Sequence, residues 1–438
     1  MDNRRPRFPE NDIILKVKSP HRPGKLGHFL TVLGEEGALI GDIETLFIGK
    51  DHSFRKITVS VYDLDHLTSI EKAVKKKTEV EIQEITDIVF DRHIGGKIHS
   101  SRIRDLERLE DMRYIYTPGV ARVCKQILQE PGDARKYTNI GNSVGIFTNG
   151  TRVLGLGEVG VLPAMPVMEG KAVLYDQFSG ISATPVLVDC KDPDEFINIV
   201  EKVAPTFGGI HLEDIRIPDC FYIESELIRR LDKPVMHDDQ HGTATVLLAA
   251  VFSALRETGR EDDDSLLFAQ LGLGAAGFGI ARLLIDYGFN VVGVDPLPES
   301  QKRLTDYGGK ITTLEDAMKS ADVVIATTGV VGLIVPEIVR KGQIILSLSN
   351  PMPEIFPEEA LEAGAAFASD GKSVNNALAF PGLFKAALET NAPRITAKMK
   401  IAAAKAISEL ARPGELVPSI FNKKVHQNVI KAVVDVQS

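Results

Sequence analysis

The chain has 438 residues and a formal net charge of −9, from 51 Lys+Arg against 60 Asp+Glu, and its length leaves room for two to four domains of about 100–200 residues each. That acidic balance argues against a mainly nucleic-acid-binding protein, and 44 % apolar with 25 % charged residues excludes a long disordered chain. The three cysteines, Cys124, Cys190 and Cys220, lie far apart and support neither a disulfide framework nor a zinc knuckle, so a reducing compartment is expected.

The N-terminal residues lack an apolar signal-peptide core, and the longest apolar run, VLLAAVFSAL at 246–255, is too short for the roughly 20 helical residues that span a bilayer. A cytoplasmic protein that engages neither membrane nor nucleic acid is expected. The first stretch predicts strands at 13–17, 38–48, 56–62 and 80–89 and helices at 26–36 and 67–76. Ile57, Val59 and Val61 alternate as a half-buried strand should, while Leu26, Phe29, Leu30 and Leu33 share one helical face. The order is βαββαβ, a ferredoxin-like split unit. With RPGKL after its first strand, this unit resembles an ACT domain, which implies a ligand-sensing or dimer-forming role for residues 1–90.

Residues 91–113 are polar and read as a linker with a glycine joint, HIGGKI, followed by a solvated helix over RIRDLERLEDMR. Chemistry-bearing motifs then cluster up to Thr243. Tyr116 stands at a Pro-Gly turn in YIYTPGV, where its phenol can donate a proton. Arg152, between glycine-rich turns in TNGTRVLGLGEVG, can grip a carboxylate with both arms of its guanidinium. Lys171 precedes AVLY, which reads as a strand; entering an apolar region should lower its pKa and make the neutral amine a base. Glu213-Asp214 ends the strand GGIHL, and Asp238-Asp239 lies in PVMHDDQHGTA before a helix expected near Thr243. Neighbouring side chains on a strand diverge, so acidic pairs can share one ion only at strand ends or loops. Their hard oxygens suit Mg²⁺ or Mn²⁺. His237 and His241 flank the second pair without being needed as ligands.

A dinucleotide pattern follows. LLFAQL is a strand, Gly272-x-Gly274-x-x-Gly277 supplies the tight turn, the close backbone approach and the close helix packing, and a helix begins at once. The next strand, NVVGV, ends at Asp295, an acidic side chain suited to the ribose hydroxyls of NAD. Two more apolar strands occur in ADVVIATTG and GQIILSLSN. Asn350, Asn375 and Asn376 offer amides for a substrate carboxylate or the nicotinamide carboxamide, and each is equally suited to a turn. The tail after Pro393 reads as two helices broken at Pro413-Gly414.

The ordered set YTPGV, TNGTRVLGLGEVG, MEGKA, HLEDI, DDQHGTA, GLGAAG, SNP and NNALAFPG, spread over about two-thirds of the chain, closely resembles the malic enzymes. The resemblance implies an α/β multidomain fold: an ACT-like unit at 1–90, a substrate domain at 91–240, a Rossmann-like NAD-binding domain at 241–392 and C-terminal helices at 393–438. It also implies oxidative decarboxylation of L-malate to pyruvate and CO₂ with NAD and Mn²⁺ or Mg²⁺. The implied metal ligands are Glu213, Asp214 and Asp239. Lys171 would be the base, oriented by Asp238, and Tyr116 the acid that protonates C3. Arg152, Asn350 and Asn376 would hold substrate, while Gly272, Gly274, Ala275, Ala276, Gly277, Asp295, Thr328, Asn350 and Asn375 would line the cofactor. A homodimer or homotetramer with a small-metabolite effector on the first unit is expected. The competing readings are a malolactic enzyme that retains its NAD and releases lactate, an amino-acid dehydrogenase, and a non-catalytic metabolite sensor.

Overall fold

A computed structural model describes residue 9 and residues 11–153, 156–349 and 352–437. Its contacts divide the chain into two compact units, Met1–His99 and Ser100–Ser438.

In the first unit the strands are β1 (Asn11–Pro20), β2 (Leu39–Ile48), β3 (His52–Val61) and β4 (Glu81–Asp87), with helices Lys25–Glu35 and Leu64–Lys77 between them in βαββαβ order. They form one antiparallel sheet, β2-β3-β1-β4. Alternation sets its register: Ile13, Leu15 and Val17 of β1 and Ile57, Val59 and Val61 of β3 point into a core completed by Phe29, Leu33, Ile70 and Val74 of the helices. A one-residue slip would turn all of these outward. Asp63 caps the second helix by accepting a hydrogen bond from the His66 amide at 2.7 Å. The edge strand β2 leaves Leu39, Phe47 and Ile48 about half exposed.

The helix expected over RIRDLERLEDMR is confined to Leu109–Ile115. Residues 100–108 carry charges but bury no apolar stripe, and a short helix without packing is marginal in water.

The second unit holds two parallel sheets. The smaller contains β5 (Ser143–Thr148), β6 (Ser182–Leu187), β7 (Gly209–Leu212) and β8 (Val235–His237) in the order β6-β5-β7-β8. The larger contains β9 (Leu267–Leu271), β10 (Asn290–Val294), β11 (Lys310–Ile311), β12 (Val323–Ala326), β13 (Ile344–Ser347) and β14 (Phe367–Asp370) in the order β11-β10-β9-β12-β13-β14. That is the doubly wound dinucleotide-binding order. Strands such as VVIA and IILS are buried on both faces, which explains their unbroken apolar character.

Helix Asp238–Glu257, buried along most of its length, runs from the end of β8 and packs on helix Ala275–Tyr287. The two meet backbone to backbone: a Cβ on Gly279 would lie 2.4 Å from the Gln240 carbonyl oxygen. The tail forms helices Ala397–Ser408 and Lys423–Asp435, which pack on Asp238–Glu257 and Phe380–Glu389 respectively. Among the described residues no helix is long and apolar enough to cross a membrane.

Two local expectations are corrected. Lys171 lies inside helix Val161–Ser179, and AVLY is helical rather than a strand. A short apolar run fits a buried helix as well as a strand, and here Pro166 and Gly170 mask the helical period. Asp238 and Asp239 do not precede a helix starting near Thr243; they form its first turn, after His237 as N-cap.

Candidate active site

Lys171 is the centre of a buried polar cluster. Its helix carries it between β7 and the start of helix Asp238–Glu257, where Nζ lies 2.5 Å from Asp238 Oδ2 and 3.1 Å from Glu213 Oε1. It is 8 % exposed and sits 4.8 Å from the Phe380 ring centroid. Burial alone would lower its pKa, the direction expected from the sequence. The Asp238 and Glu213 carboxylates outweigh burial and hold the ammonium charged, above its ordinary value. The expectation of a neutral amine is therefore overturned for the protein without ligands, because it counted desolvation and not the paired charges.

Asp238 is fully buried. Its Oδ2 also accepts from Asn376 Nδ2 at 2.5 Å, so this amide braces the acid beside Lys171. A Cβ on Gly242 would fall 1.8 Å from Asp238 Oδ1, so only glycine fits one turn along the helix.

Glu213 also belongs to a second acidic group. Oxygens of Glu213, Asp214 and Asp239 come within 4.8 Å of one another. Asp214 takes the left-handed backbone conformation at φ 54°, unusual for a residue with a side chain, and its amide donates to Asp239 Oδ2 at 3.1 Å. The Arg152 amide donates to the Asp214 carbonyl at 3.1 Å, so the Arg152 turn braces the same corner. Burial pushes the Glu213 carboxyl up to about 7, against the pull of Lys171. Asp239 is held below its ordinary value: His237, at 3.2 Å from Oδ2, and Lys171 outweigh burial. This donor set fits a hard divalent cation: three carboxylates converge at a strand end and a helix start, with one lysine to balance them.

Several buried partners were not singled out in the sequence. Tyr175 Oη lies 2.8 Å from His211 Nδ1, and His211 Nε2 lies 2.6 Å from Glu213 Oε2. Burial pushes the His211 imidazole down to about 3, so it is uncharged. Glu224 accepts from the His237 amide at 2.7 Å, from Gln240 Nε2 at 3.2 Å and from His241 Nε2 at 3.0 Å, and ties down the loop that carries Asp238 and Asp239. Burial opposes ionisation of Glu224, but His241 outweighs it and holds the carboxyl down to about 2. Lys400 Nζ closes the chain 3.1 Å from His241 Nδ1, and burial lowers its pKa to about 8. His237 and His241 are thus supports of the acidic loop.

The dinucleotide motif has its expected shape. Gly272 turns at φ 83°, and a Cβ on Gly277 would lie 2.0 Å from the Gly272 oxygen. Helix Ala275–Tyr287 begins after Gly274 with no side-chain cap, which leaves the amides of its first turn, including Ala275 and Ala276, for an anion. Asp295 spends both oxygens on the loop, accepting from the Leu273 amide at 2.7 Å and the Leu297 amide at 2.9 Å. Thr328 donates through its amide and hydroxyl to Glu354 Oε1, a buried acid that also accepts from Ser347 and Ser349. Asn375 accepts from the Ala377 amide at 2.9 Å and so acts as a cap.

Two expected site residues stand apart. Tyr116 is 64 % exposed at the end of helix Leu109–Ile115, and no hydrogen bond or ring contact among the described residues joins it to Lys171. The Arg152 side chain is exposed. Asn350 lies outside the described residues.

The family model described as malic enzyme, N-terminal domain, matches residues 95–228, and one described as NADP oxidoreductase, coenzyme F420-dependent, matches residues 268–351. The chain is 47 % identical to a Bacillus subtilis protein named NAD-dependent malic enzyme 1, over 96 % of each chain. It is 40 % identical to a Geobacillus stearothermophilus NAD-dependent malic enzyme, over 92 % of this chain and 89 % of that one. Among solved structures, an NAD-dependent malic enzyme from Thermotoga maritima matches with a TM-score of 0.74 and 36 % identity, covering 80 % of this chain and 99 % of its own. Full-length similarity at this level, on a chain whose lysine, acidic pairs and dinucleotide fold stand in one unit, settles the family: the chain belongs to the malic enzymes.

Proposed function

We propose that the protein catalyses the metal-dependent oxidative decarboxylation of L-malate to pyruvate and CO₂ with reduction of NAD. The observation that carries this reading is the buried Lys171, paired with Asp238 and with Glu213 of the Glu213–Asp214–Asp239 group. Bound at that group, Mg²⁺ or Mn²⁺ would supply Lewis acidity and offset the negative field that keeps Lys171 charged, and NAD would supply the hydride acceptor.

Glu213, Asp214 and Asp239 would hold the ion. Lys171 Nζ takes the C2 hydroxyl proton, and Asp238 orients it with Asn376 as its brace. Asn376 therefore acts on substrate through Asp238 as well as through its own amide. Arg152 and Asn350 would grip substrate carboxylates. Tyr116, supported by its motif alone, would protonate C3 once brought to the site. The amides of Ala275, Ala276 and Gly277 would face the pyrophosphate, with Thr328 and Asn375 at the nicotinamide side.

Asp295 at the end of β10 favours NAD, because a carboxylate beside the adenosine ribose repels a 2′-phosphate. Of the nearby cations, Lys302 pairs with Asp306 at 2.7 Å, whereas the Arg303 guanidinium stacks 4.0 Å from the Phe221 ring centroid and donates to the Leu273 carbonyl of the glycine turn at 3.4 Å, so Arg303 stays near Asp295 and softens that repulsion. Parallel spectrophotometric assays with malate and Mn²⁺ should give NADH as free product and a higher kcat/KM with NAD than with NADP. Lactate without free NADH would replace this reading by the malolactic one, and a preference for NADP would overturn the role given to Asp295.

We read the first unit as regulatory or dimer-forming. Its half-exposed apolar edge at Leu39, Phe47 and Ile48 offers unpaired strand backbone to a second copy. Gly24, at φ 81°, opens helix Lys25–Glu35 without a side-chain cap, where an ACT-like unit would present amides to a small metabolite. Removing residues 1–99 should lower the oligomeric order seen by light scattering and abolish any change in malate KM caused by amino acids or central metabolites. Ordinary allostery would make that change about 5–150-fold. An unchanged assembly with an unchanged effector response would refute both roles.

A further inference from the structure

We propose that Tyr175 and His211 are positioning residues: a buried tyrosine–histidine relay that fixes the Glu213 carboxylate in the orientation a divalent ion needs. The inference deepens the function proposed above and rests on its reading of Glu213 as a metal ligand.

The local structure builds the relay two by two. Tyr175 stands one helical turn after Lys171 in Val161–Ser179, so the two share a face. His211 and Glu213 are two apart at β7, and alternation puts them on one side of the strand. Helix face and strand face meet as Tyr175–His211 and Lys171–Glu213. Glu213 is gripped at both oxygens, Oε2 by His211 at 2.6 Å and Oε1 by Lys171 at 3.1 Å. The plane of the carboxylate is thereby set.

Hydrogen-bond chemistry then assigns the ring. As a metal ligand Glu213 must be ionised and its oxygens then only accept, so His211 Nε2 carries the proton and donates to Glu213. Nδ1 is left as the acceptor, and the Tyr175 hydroxyl, 2.8 Å away, donates to it. Tyrosine thus selects the tautomer that can hold the acid. Tyr175 and His211 are both 0 % exposed, and Phe380 and Phe384 box them in, with ring centroids 4.8 and 5.8 Å from Tyr175 and 5.4 and 5.9 Å from His211. In such a box phenylalanine would fill the volume at position 175 without burying a hydroxyl. A buried hydroxyl costs free energy unless it is bonded, and His211 is the one side-chain partner of this one among the described residues.

The test is direct Mn²⁺ binding to the full-length protein without substrate, read from the free-ion EPR signal. In His211→Gln the amide nitrogen reaches the place of Nε2 and can still donate to Glu213. In His211→Asn the shorter amide reaches only the place of Nδ1, where its oxygen can accept from Tyr175, and Glu213 is left unheld. His211→Asn should raise the Mn²⁺ Kd about tenfold or more, His211→Gln should stay within about threefold of wild type, and Tyr175→Phe should fall between them, as expected for groups that orient a ligand. Equal loss in the Asn and Gln variants would mean that packing, not the Nε2 hydrogen bond, is at stake, and would overturn the proposal. So would wild-type binding in both His211→Asn and Tyr175→Phe. If His211→Asn does not fold, Tyr175→Phe, which removes a single oxygen, decides the matter alone. Asp239→Ala separates the two levels: its failure to weaken Mn²⁺ binding would refute the metal site itself, whereas loss there with no effect at 175 and 211 would refute the relay.

Discussion

Lys171→Ala is expected to lower kcat by about 10²–10⁴-fold, the usual cost of removing a general acid or base, while NAD affinity stays near wild type. The two effects separate because, among the described residues, the ion pairs and ring contact of Lys171 are with Asp238, Glu213 and Phe380, none of which belongs to the Gly272–Gly277 turn. The substitution also leaves Asp238 buried with Asn376 as its one side-chain donor among the described residues. Breaking a buried pair on one side typically costs about 3–5 kcal/mol of stability, so a lower Tm is part of the expected result. Turnover must therefore be compared below the unfolding range of the variant, with NAD binding measured by fluorescence on the same sample. Wild-type turnover in a folded variant would remove Lys171 from the mechanism.

How far this site was legible in the sequence depends on how local each signal is. The glycine motif was readable because strand, turn and helix are consecutive, and the acidic pairs because a strand end and a helix start each place two carboxylates side by side. The βαββαβ order followed from alternation such as Ile57, Val59 and Val61. Other features arise only on folding. The Tyr175–His211 and Lys400–His241 contacts join residues 36 and 159 positions apart, and no local pattern marks them. The protonation of Lys171 is not legible for the same reason: its own segment announces burial, whereas the two carboxylates that reverse the shift come from distant strands and helices. The helix starting at Asp238 was placed several residues late because DDQHG has a weak helical propensity, which its packing on Ala275–Tyr287 overrides. Tyr116 is the opposite case. Its motif is plain in the sequence, and yet the folded chain leaves the phenol in solvent.

Asp239→Ala is expected to abolish tight Mn²⁺ binding and to lower turnover by about 10³-fold or more, since Lewis-acid stabilisation by a bound ion is worth several kcal/mol. Asp239 does two things in the folded chain. It is one of three carboxylates whose oxygens converge within 4.8 Å, and it accepts the amide of Asp214, which is held at φ 54°. Alanine removes both the charge and the acceptor, so the Asp214 turn loses the bond that offsets its strained backbone. Asparagine keeps an oxygen for that amide and removes only the charge. If the metal site is the purpose of the cluster, Asp239→Asn should share the loss of Mn²⁺ binding while retaining more thermal stability than Asp239→Ala. Chelation of the wild type with EDTA should abolish decarboxylation, and Mn²⁺ or Mg²⁺ should restore it there but not in either variant. Full activity after exhaustive chelation would leave the three carboxylates without the function assigned to them. The buried negative charge around Lys171 would then have to be explained by that lysine alone.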